Sequence, residues 1–279
     1  VGDAYPAFFS QGRTLRNGPS THAFRFARQR TIPAGNGTTV ETELVAPDGA
    51  VCLHRLSWQP GTPVLRCETE VRNDSPAPVT LELLTSFSLG GITPFAADDA
   101  PGRLLIHRCR SSWAAEGRLD SQPAERLQLE PSFSRYSAAT ERFGQVGTMP
   151  VRGFFPFVAA EDTATGVLWG AQLAWAGSWQ MELYRKDDQL CLSGGLADRE
   201  FGHWTKTLAP GTSFTAPAAY LACVQGNLED LCTRLTAAQH AAADTHPAIE
   251  ADLPIVFNEW CTTWGTPTHD KLLALAQRL

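Results

Sequence analysis

A regular alternation of apolar and polar residues, which begins at residue 39, limits the folds open to this chain. The alternating segments are residues 39–46, 51–58, 64–72 and 79–89, with turns rich in Pro, Gly, Asn and Asp between them. In the third segment, Cys67, Thr69 and Val71 share one face while charged residues occupy the other. A period of two is that of a strand with one face toward a core and one toward water. Strands joined by short turns at this interval predict an antiparallel sandwich.

The same pattern continues over most of the first 226 residues. Further strands are predicted at residues 104–109, 112–119, 166–175, 179–185, 189–195, 204–217 (around a turn at Pro210-Gly211) and 218–224. The first 38 residues look irregular, and much of the segment between 120 and 165 permits short strands or long loops. Because the block is too long for a seven-stranded immunoglobulin-type sandwich, residues 1–226 are predicted to form one large, many-stranded double sheet.

A helix is predicted immediately after the β domain. Leu228, Leu231 and Leu235 align on one face of the segment, Asn227 stands at an N-capping position, and acidic residues occupy the first turn. A polar segment bracketed by prolines follows. Residues 227–252 are therefore predicted to be a linker helix and a linker.

The last segment, residues 253–279, has the pattern of a strand, a loop and a helix. The apolar run at 253–257 is typical of a strand buried on both faces, as in a parallel sheet. The helix is expected to begin at Thr266 or Thr268. A single parallel strand and its helix cannot bury their own apolar side chains, so this segment is expected to be the first β/α unit of a larger fold in a longer protein.

Composition excludes several classes of function. The net charge of -6 and the absence of a basic cluster argue against a nucleic-acid partner. No apolar run reaches the roughly 18 residues of a membrane-spanning helix. The seven cysteines are scattered without a CxxC pair, which argues against a metal site and favours reduced thiols. We therefore expect a cytoplasmic protein that needs no metal or cofactor and has no membrane partner.

Several segments carry a resemblance to a known family. They are residues 107–119, 141–158, 166–185, 194–217 and 257–265. In this order they resemble the retaining α-galactosidases of glycoside hydrolase family 36, of the melibiase type. The resemblance spans nearly the whole chain, and the conjunction of segments makes it specific. It implies a mainly β fold: a large antiparallel β-supersandwich, a linker helix and the first β/α unit of a truncated (β/α)8 catalytic barrel.

The resemblance also implies substrate-binding residues. Trp260 matches the family tryptophan that ends the first barrel strand and lines the galactose subsite, and Asn258 matches the first asparagine of that motif. Glu259 and Cys261 replace a second asparagine and a glutamate, which suggests a pocket that differs from that of most members. Asp3 matches the acid of an N-terminal loop that reaches a neighbour's active site in tetramers of the family.

Retaining glycosidases need two carboxylates about 5 Å apart. In the family both are aspartates on later barrel strands, so the resemblance implies no catalytic residue in this chain. Asp198 and Glu200 are better interpreted as a solvated charge pair at a strand end. His203 and His269 are interpreted as surface or capping residues rather than bases.

The expected function is therefore that of the N-terminal part of an α-galactosidase acting on terminal α-galactosides of the melibiose or raffinose type. The isolated segment is expected to be inactive, and the full enzyme is expected to be a homo-oligomer. Two alternatives stay open: a non-catalytic carbohydrate-binding or interaction module, and part of an α-N-acetylgalactosaminidase. A downstream barrel with two aspartates would distinguish an α-galactosidase from a non-catalytic module. The pocket around Trp260 would distinguish an α-galactosidase from an α-N-acetylgalactosaminidase.

Overall fold

The structure is a computed structural model that describes residues 15, 18–92, 98, 100–130, 140–186, 189–243, 247–250 and 252–278. The chain divides into two compact units, Val1–Gln239 and His240–Leu279. The first unit is a β domain and the second is small and mostly without strands. Each is described by itself.

Antiparallel strands make up most of the first unit. They are β1 (Arg25–Ala34), β2 (Gly37–Val45), β3 (Ala50–Trp58), β4 (Leu65–Asn73), β5 (Val79–Leu81), β6 (Thr85–Leu89), β7 (Leu104–Ser111), β8 (Arg118–Pro123), β9 (Thr140–Gln145), β10 (Gly153–Asp162), β11 (Val167–Leu173), β12 (Trp179–Lys186), β13 (Gln189–Leu196), β14 (Lys206–Leu208), β15 (Ser213–Thr215) and β16 (Ala219–Gln225). A short helix, α1 (Pro19–Ala23), precedes β1, and a 3-10 helix at Ala124–Leu127 follows β8.

The strands of the described part form three sheets. The large sheet has the order β1-β2-β3-β4-β16-β11-β10-β7-β8, and β15 also pairs with β4. The small sheet has the order β6-β13-β12-β9, and β14 pairs with β5 as a separate ribbon. The last strand of the domain, β16, therefore lies between β4 and β11 and joins the two halves of the large sheet.

The main core lies between the large sheet and the small sheet. Ile106 and Val158 from the large sheet and Phe87, Met181 and Leu183 from the small sheet belong to one cluster of buried side chains. Such a core, shared between two facing sheets, is the defining feature of a sandwich. The expected mainly β sandwich architecture is confirmed.

Trp179 is fully buried in this core. Its Nε1 donates a hydrogen bond to the carbonyl oxygen of Pro150 at 2.5 Å, and its ring meets that of Phe143 edge-on with centroids 5.9 Å apart. A buried indole N–H that keeps a partner avoids the cost of an unsatisfied donor.

Helix α2 (Leu228–Ala243) covers part of the opposite face of the large sheet. Leu231 and Leu235 pack there against Leu168 and Val224. Gly170 permits this close approach, because a Cβ atom at that position would lie 2.6 Å from Cδ2 of Leu231. The helix that the sequence predicts after the β domain is thus present, and its first half packs against the sheet.

Several strands and one helix cap predicted from the sequence are present in the structure. The predicted strands at 39–46, 51–58 and 64–72 correspond to β2, β3 and β4, and those at 166–175, 179–185, 189–195 and 218–224 correspond to β11, β12, β13 and β16. The predicted cap of α2 is also present, since Oδ1 of Asn227 accepts a hydrogen bond from the amide of Asp230 at 3.1 Å.

Three predictions for the β domain are wrong. β1 lies in a region interpreted as irregular, because its side chains are mostly exposed and show no apolar alternation. The single strand predicted at 79–89 is two strands, and the break sends β5 and β6 to different sheets. The strand predicted at 112–119 is mostly a turn, which ends where β8 begins at Arg118.

In the described part of the second unit, two helices follow a short 3-10 helix at Ala248–Glu250. They are α3 (Trp260–Thr263) and α4 (His269–Ala276). Of the two predicted helix starts, Thr266 and Thr268, the structure has the second: the Thr268 side chain accepts a hydrogen bond from the amide of Lys271 and caps α4.

The buried strand predicted at 253–257 is not formed. Leu253, Ile255 and Val256 are exposed, and the structure has no ladder pairing for this segment among the described residues. A strand in a parallel sheet requires neighbouring strands for its backbone hydrogen bonds, and the strands of the described part all pair elsewhere. The apolar run is therefore exposed and unpaired among the described residues.

Candidate functional site

Two of the three residues assigned to substrate binding lie side by side at the start of α3. The backbone amide of Trp260 donates a hydrogen bond to Oδ1 of Asn258 at 3.0 Å. The Thr263 hydroxyl donates to the carboxylate of Glu259, which joins both ends of this single helical turn. The turn is thus held by local hydrogen bonds. Asp3, the third predicted residue, lies outside the described residues.

The turn presents aromatic surface outward. Trp260 is 56% exposed, and Trp264 follows it in a left-handed backbone conformation with φ 51° and is 75% exposed. Flat indole rings next to an amide are suited to stacking on the apolar face of a sugar ring and to hydrogen bonding a hydroxyl. Oδ1 of Asn258 already accepts the hydrogen bond from the Trp260 amide. The side-chain amide nitrogen of Asn258 is therefore the group that could donate to a sugar hydroxyl.

An acidic cluster lies in the β domain around Arg142. Nη2 of Arg142 is 2.7 Å from Glu182, 3.1 Å from Glu200 and 3.8 Å from Asp198. The interpretation of Asp198 and Glu200 as a solvated pair is wrong for Asp198, which is only 1% exposed and accepts a hydrogen bond from the amide of Phe201 at 2.7 Å. Burial and the shared guanidinium favour a structural role over acid catalysis.

The histidines judged not to be bases are both exposed. His203 has a positive φ of 57° in the loop after β13, and Nδ1 of His269 lies 3.2 Å from the carboxylate of Asp270 in the first turn of α4. Among the described residues, neither histidine side chain forms a hydrogen bond with the carboxylates around Arg142.

A cavity of about 410 Å³ opens in the β domain. It lies between the large sheet and β6, which is an edge strand of the small sheet. Leu56, Trp169 and Leu221 line it from the large sheet, and Phe87 and Leu89 line it from β6. Because the small sheet ends at β6, the inner face of the large sheet continues past it and forms one wall of the cavity.

A gap in the large sheet helps to form this cavity. Strand β4 pairs with β16 only from Leu65 to Cys67, whereas β16 continues to Gln225 alongside β11 alone. In this gap Nη1 of Arg234, from α2, donates a hydrogen bond to the carbonyl oxygen of Cys223 at 2.9 Å. Arg234 thereby reaches the cavity lining from the helix.

A thiol and an imidazole meet in the cavity wall. Nε2 of His54 is 3.5 Å from Sγ of Cys67, and its Nδ1 is 3.0 Å from Oγ1 of Thr69. Burial lowers the pKa of His54, and burial, aided by the charge of Glu68, raises the pKa of Cys67 to about 12. Both groups are therefore neutral at pH 7, so the pair does not supply a thiolate nucleophile.

Sequence reasoning did not identify this cavity. Trp58, His54 and Trp169 belong to strands that were placed correctly, but nothing in the alternation distinguishes a side chain that lines a cavity from one that fills a core. The only available signal is the edge position of β6, which depends on the break between β5 and β6.

Neither a metal cluster nor a membrane span is found in the part of the chain that the structure describes. No three His, Cys, Asp or Glu side chains of that part are grouped so that they could hold a metal ion. None of its helices has the length and apolar character to span a membrane.

Similarity to known proteins is limited to solved structures. No protein-family model and no curated protein matches the sequence. The α-galactosidase AgaB of glycoside hydrolase family 36 from Geobacillus stearothermophilus is similar with a TM-score of 0.72 and 15% identity, over 91% of this chain and 35% of that chain. An α-galactosidase from Lactobacillus brevis is similar with a TM-score of 0.71 and 16% identity, over 91% of this chain and 34% of that chain.

The galactosidase domain of an α-galactosidase–sucrose kinase gives a TM-score of 0.61 at 18% identity, over 76% of this chain and 29% of that chain. The chain thus spans about a third of the length of the α-galactosidases it resembles. The resemblance to family 36 that the sequence suggested is confirmed at the level of the fold: the chain is built like one part of these glycosidases.

Proposed function

We propose that this chain is the N-terminal part of a retaining α-galactosidase. The observation that carries the proposal is the shared fold over 91% of the chain, with a TM-score of 0.72, with the α-galactosidase AgaB. Variants of AgaA, another family 36 α-galactosidase of Geobacillus stearothermophilus, are solved in complexes with stachyose and with raffinose. Terminal α-galactosides of the melibiose or raffinose type are therefore the proposed substrates.

In this proposal the turn at the start of α3 supplies part of the galactose subsite. Trp260 provides the stacking surface, and Asn258 provides an amide donor held next to it by the backbone hydrogen bond at 3.0 Å. Asp3 is assigned to the same substrate-binding role from the family resemblance alone.

The catalytic aspartate pair is proposed to lie outside these 279 residues. The acidic cluster that the structure places around Arg142 is an unsuitable substitute, because Asp198 is buried and its carboxylate accepts a hydrogen bond from a backbone amide. The segment by itself is accordingly expected to be inactive.

Three neighbouring loops at one end of the sandwich are proposed to make oligomer contacts. Trp113 is 94% exposed in the loop between β7 and β8, Met149 is exposed between β9 and β10, and Trp175 is exposed between β11 and β12. Ser111 pairs with Gly153, which places the first two loops together. Exposed aromatic side chains of this kind are typical of interface anchors.

A reducing, cytoplasmic setting is also proposed. The seven cysteines are all free thiols, which is usual for proteins of that compartment.

The test compares the 279-residue chain with the longest polypeptide that its gene encodes. Both are assayed with p-nitrophenyl α-galactoside, melibiose and raffinose, and with p-nitrophenyl α-N-acetylgalactosaminide as the competing substrate. We expect hydrolysis of the galactosides by the longer polypeptide alone. Preferred hydrolysis of the N-acetylated substrate would favour the α-N-acetylgalactosaminidase alternative, and activity of neither polypeptide would favour a binding module.

Two tryptophan variants of the longer polypeptide test the assigned subsite. Trp260→Ala is expected to raise KM by about tenfold or more, since removing a stacking group weakens substrate binding. Trp264→Ala is the matched control, because it removes another exposed indole from the same segment. Equal effects of the two variants would contradict the assignment of Trp260.

A further inference from the structure

The cavity beside β6 has the composition of a small-molecule site. Its volume of about 410 Å³ falls in the range of about 300–1,000 Å³ that is usual for such sites. Leu56, Phe87, Leu89 and Leu221 make much of the lining apolar. The cavity belongs entirely to the β domain, so its function is separable from the subsite assigned to Trp260.

The charges around the cavity favour an anion. No aspartate or glutamate is among the side chains that line it in the described part of the chain, and Arg234 is the charged side chain there. His54 adds no positive charge at neutral pH, because burial lowers its pKa. The Arg234 guanidinium is held at the gap in the sheet by its bond to the Cys223 carbonyl, and the arginine is otherwise exposed, so its remaining donors are available to a ligand.

The lining is unsuited to a sugar. A pyranose carries several hydroxyls, and each must find a partner when it is removed from water. None of the described lining residues has a carboxylate to accept from them, the hydroxyl side chains there are those of Thr62 and Ser88, and the Cys67 thiol and the His54 imidazole already contact each other at 3.5 Å. An alkyl or aryl group needs no hydrogen-bond partner, and its transfer from water into the cavity lowers the free energy.

We propose that this cavity binds a small organic carboxylate with an apolar body, whose alkyl or aryl group lies against Leu56, Phe87 and Leu89 and whose carboxylate pairs with Arg234. A straight-chain acid of about ten carbons is of suitable size for the volume. The guanidinium gives the head group two parallel donors, which is the geometry that arginine offers to carboxylates.

The first experiment measures binding to the 279-residue chain by isothermal titration calorimetry with hexanoate, octanoate and decanoate, below the concentrations at which they form micelles. The affinity is expected to rise by roughly fourfold for each methylene that enters the cavity. Decanol supplies the same body without the charge and is expected to bind about tenfold more weakly than decanoate. Galactose and melibiose are measured in the same way and are expected not to bind here.

Variants test both ends of the proposed ligand. Arg234→Gln is expected to abolish the difference between decanoate and decanol, while Arg118→Gln, which changes an exposed arginine on β8, leaves it intact. Leu89→Trp enlarges a half-buried lining side chain on the same face of β6 as Phe87 and is expected to abolish binding of both compounds. Circular dichroism and urea unfolding establish that each variant is folded.

Three results would overturn the proposal. The first is the absence of decanoate binding at millimolar concentration, and the second is binding that Leu89→Trp leaves unchanged. The third is binding of galactose or melibiose that Leu89→Trp removes, which would make the cavity a sugar site. None of these concerns hydrolysis of α-galactosides, so this inference and the proposed enzymatic function fail or succeed separately.

Discussion

Trp179 and Trp260 belong to different units of the chain, and their surroundings differ in kind. Trp179 is completely buried between two sheets, with a hydrogen bond for its indole nitrogen and an aromatic neighbour. Trp260 is more than half exposed on a single helical turn. The β domain keeps its apolar side chains in a shared core, whereas the unit 240–279 relies on local hydrogen bonds.

This difference separates what stabilises the protein from what is available to bind. Side chains in a shared core lose several contacts at once when one of them is shortened. Side chains held by a local turn lose little, because water already surrounds them. Global stability is therefore expected to depend on the β domain, and exposed apolar residues of the second unit are expected to affect binding instead.

The largest difference in stability is expected between alanine variants of the two tryptophans. Trp179→Ala should lower the free energy of unfolding by about 3–5 kcal/mol, because it removes a large side chain from a closed core. Trp260→Ala should change it by less than about 0.5 kcal/mol. Urea unfolding followed by circular dichroism measures both. Similar losses for the two variants would show that the second unit shares the cooperative core.

The next effect concerns the acid sensitivity of the β domain. Glu41 is 4% exposed and accepts hydrogen bonds from Arg55 and Arg30. Burial by itself would raise the pKa of Glu41, but the two guanidinium groups outweigh it and hold the pKa below its ordinary value of 4.5. The stabilisation is then complete above pH 4.5 and is lost as the pH falls through the lowered pKa.

Glu41→Gln is expected to cost about 1.5–3 kcal/mol at pH 7 and to reduce the loss of stability on acidification. The matched variant is Glu130→Gln, at an exposed position, which should have little effect at either pH. Thermal unfolding at pH 7 and pH 3 provides the comparison. A loss on acidification that is as steep in Glu41→Gln as in the unaltered protein would contradict this account.

A smaller effect is expected where α2 meets the large sheet. Gly170→Ala places a methyl group against Leu231 and should cost about 1–3 kcal/mol through overpacking. Gly90→Ala is the control, since its Cβ would meet only Sγ of Cys191 at an ordinary 3.7 Å. Unfolding in urea measures both variants, and equal stabilities would mean that α2 moves away from the sheet without cost.

The smallest effects come from two helix caps of the same type. Asn227→Ala removes the cap of α2, whose first half packs on the sheet, and should lower global stability by about 1 kcal/mol. Thr268→Ala removes the cap of α4 and should speed amide exchange in that helix while leaving global unfolding unchanged. Hydrogen exchange monitored together with urea unfolding distinguishes them, and a global loss in Thr268→Ala would break the contrast between the units.

The sequence predicted those elements whose burial follows a simple period. Strands β2, β3 and β4 have one face inward, so apolar alternation marks them. β1 has no inward face of that kind: it is held by backbone pairing with β2 and by ion pairs such as Arg28 with Glu43, which leave no apolar pattern.

The candidate site was predictable only in part. The hydrogen bond between Asn258 and Trp260 follows from an asparagine placed two residues before a helical turn, which is a local arrangement. No strand forms at 253–257, because the neighbouring strands that a parallel-sheet strand requires are not among the described residues. The cavity depends on residues from β3, β4, β6, β11, β16 and α2, and only the assembled topology brings them together.

The central place of β16 in the large sheet has a consequence for how the protein acquires its structure during synthesis. In the large sheet as the described residues form it, the strands β1 to β4 and the strands β7, β8, β10 and β11 are joined through β16, which is the last of these strands to leave the ribosome. Pairing of Leu65 with Leu221 closes a very long loop, and such distant contacts make folding slow. Two partial sheets with open edges are therefore expected to await the final strand, and chaperone demand should be greatest just before residue 225 emerges.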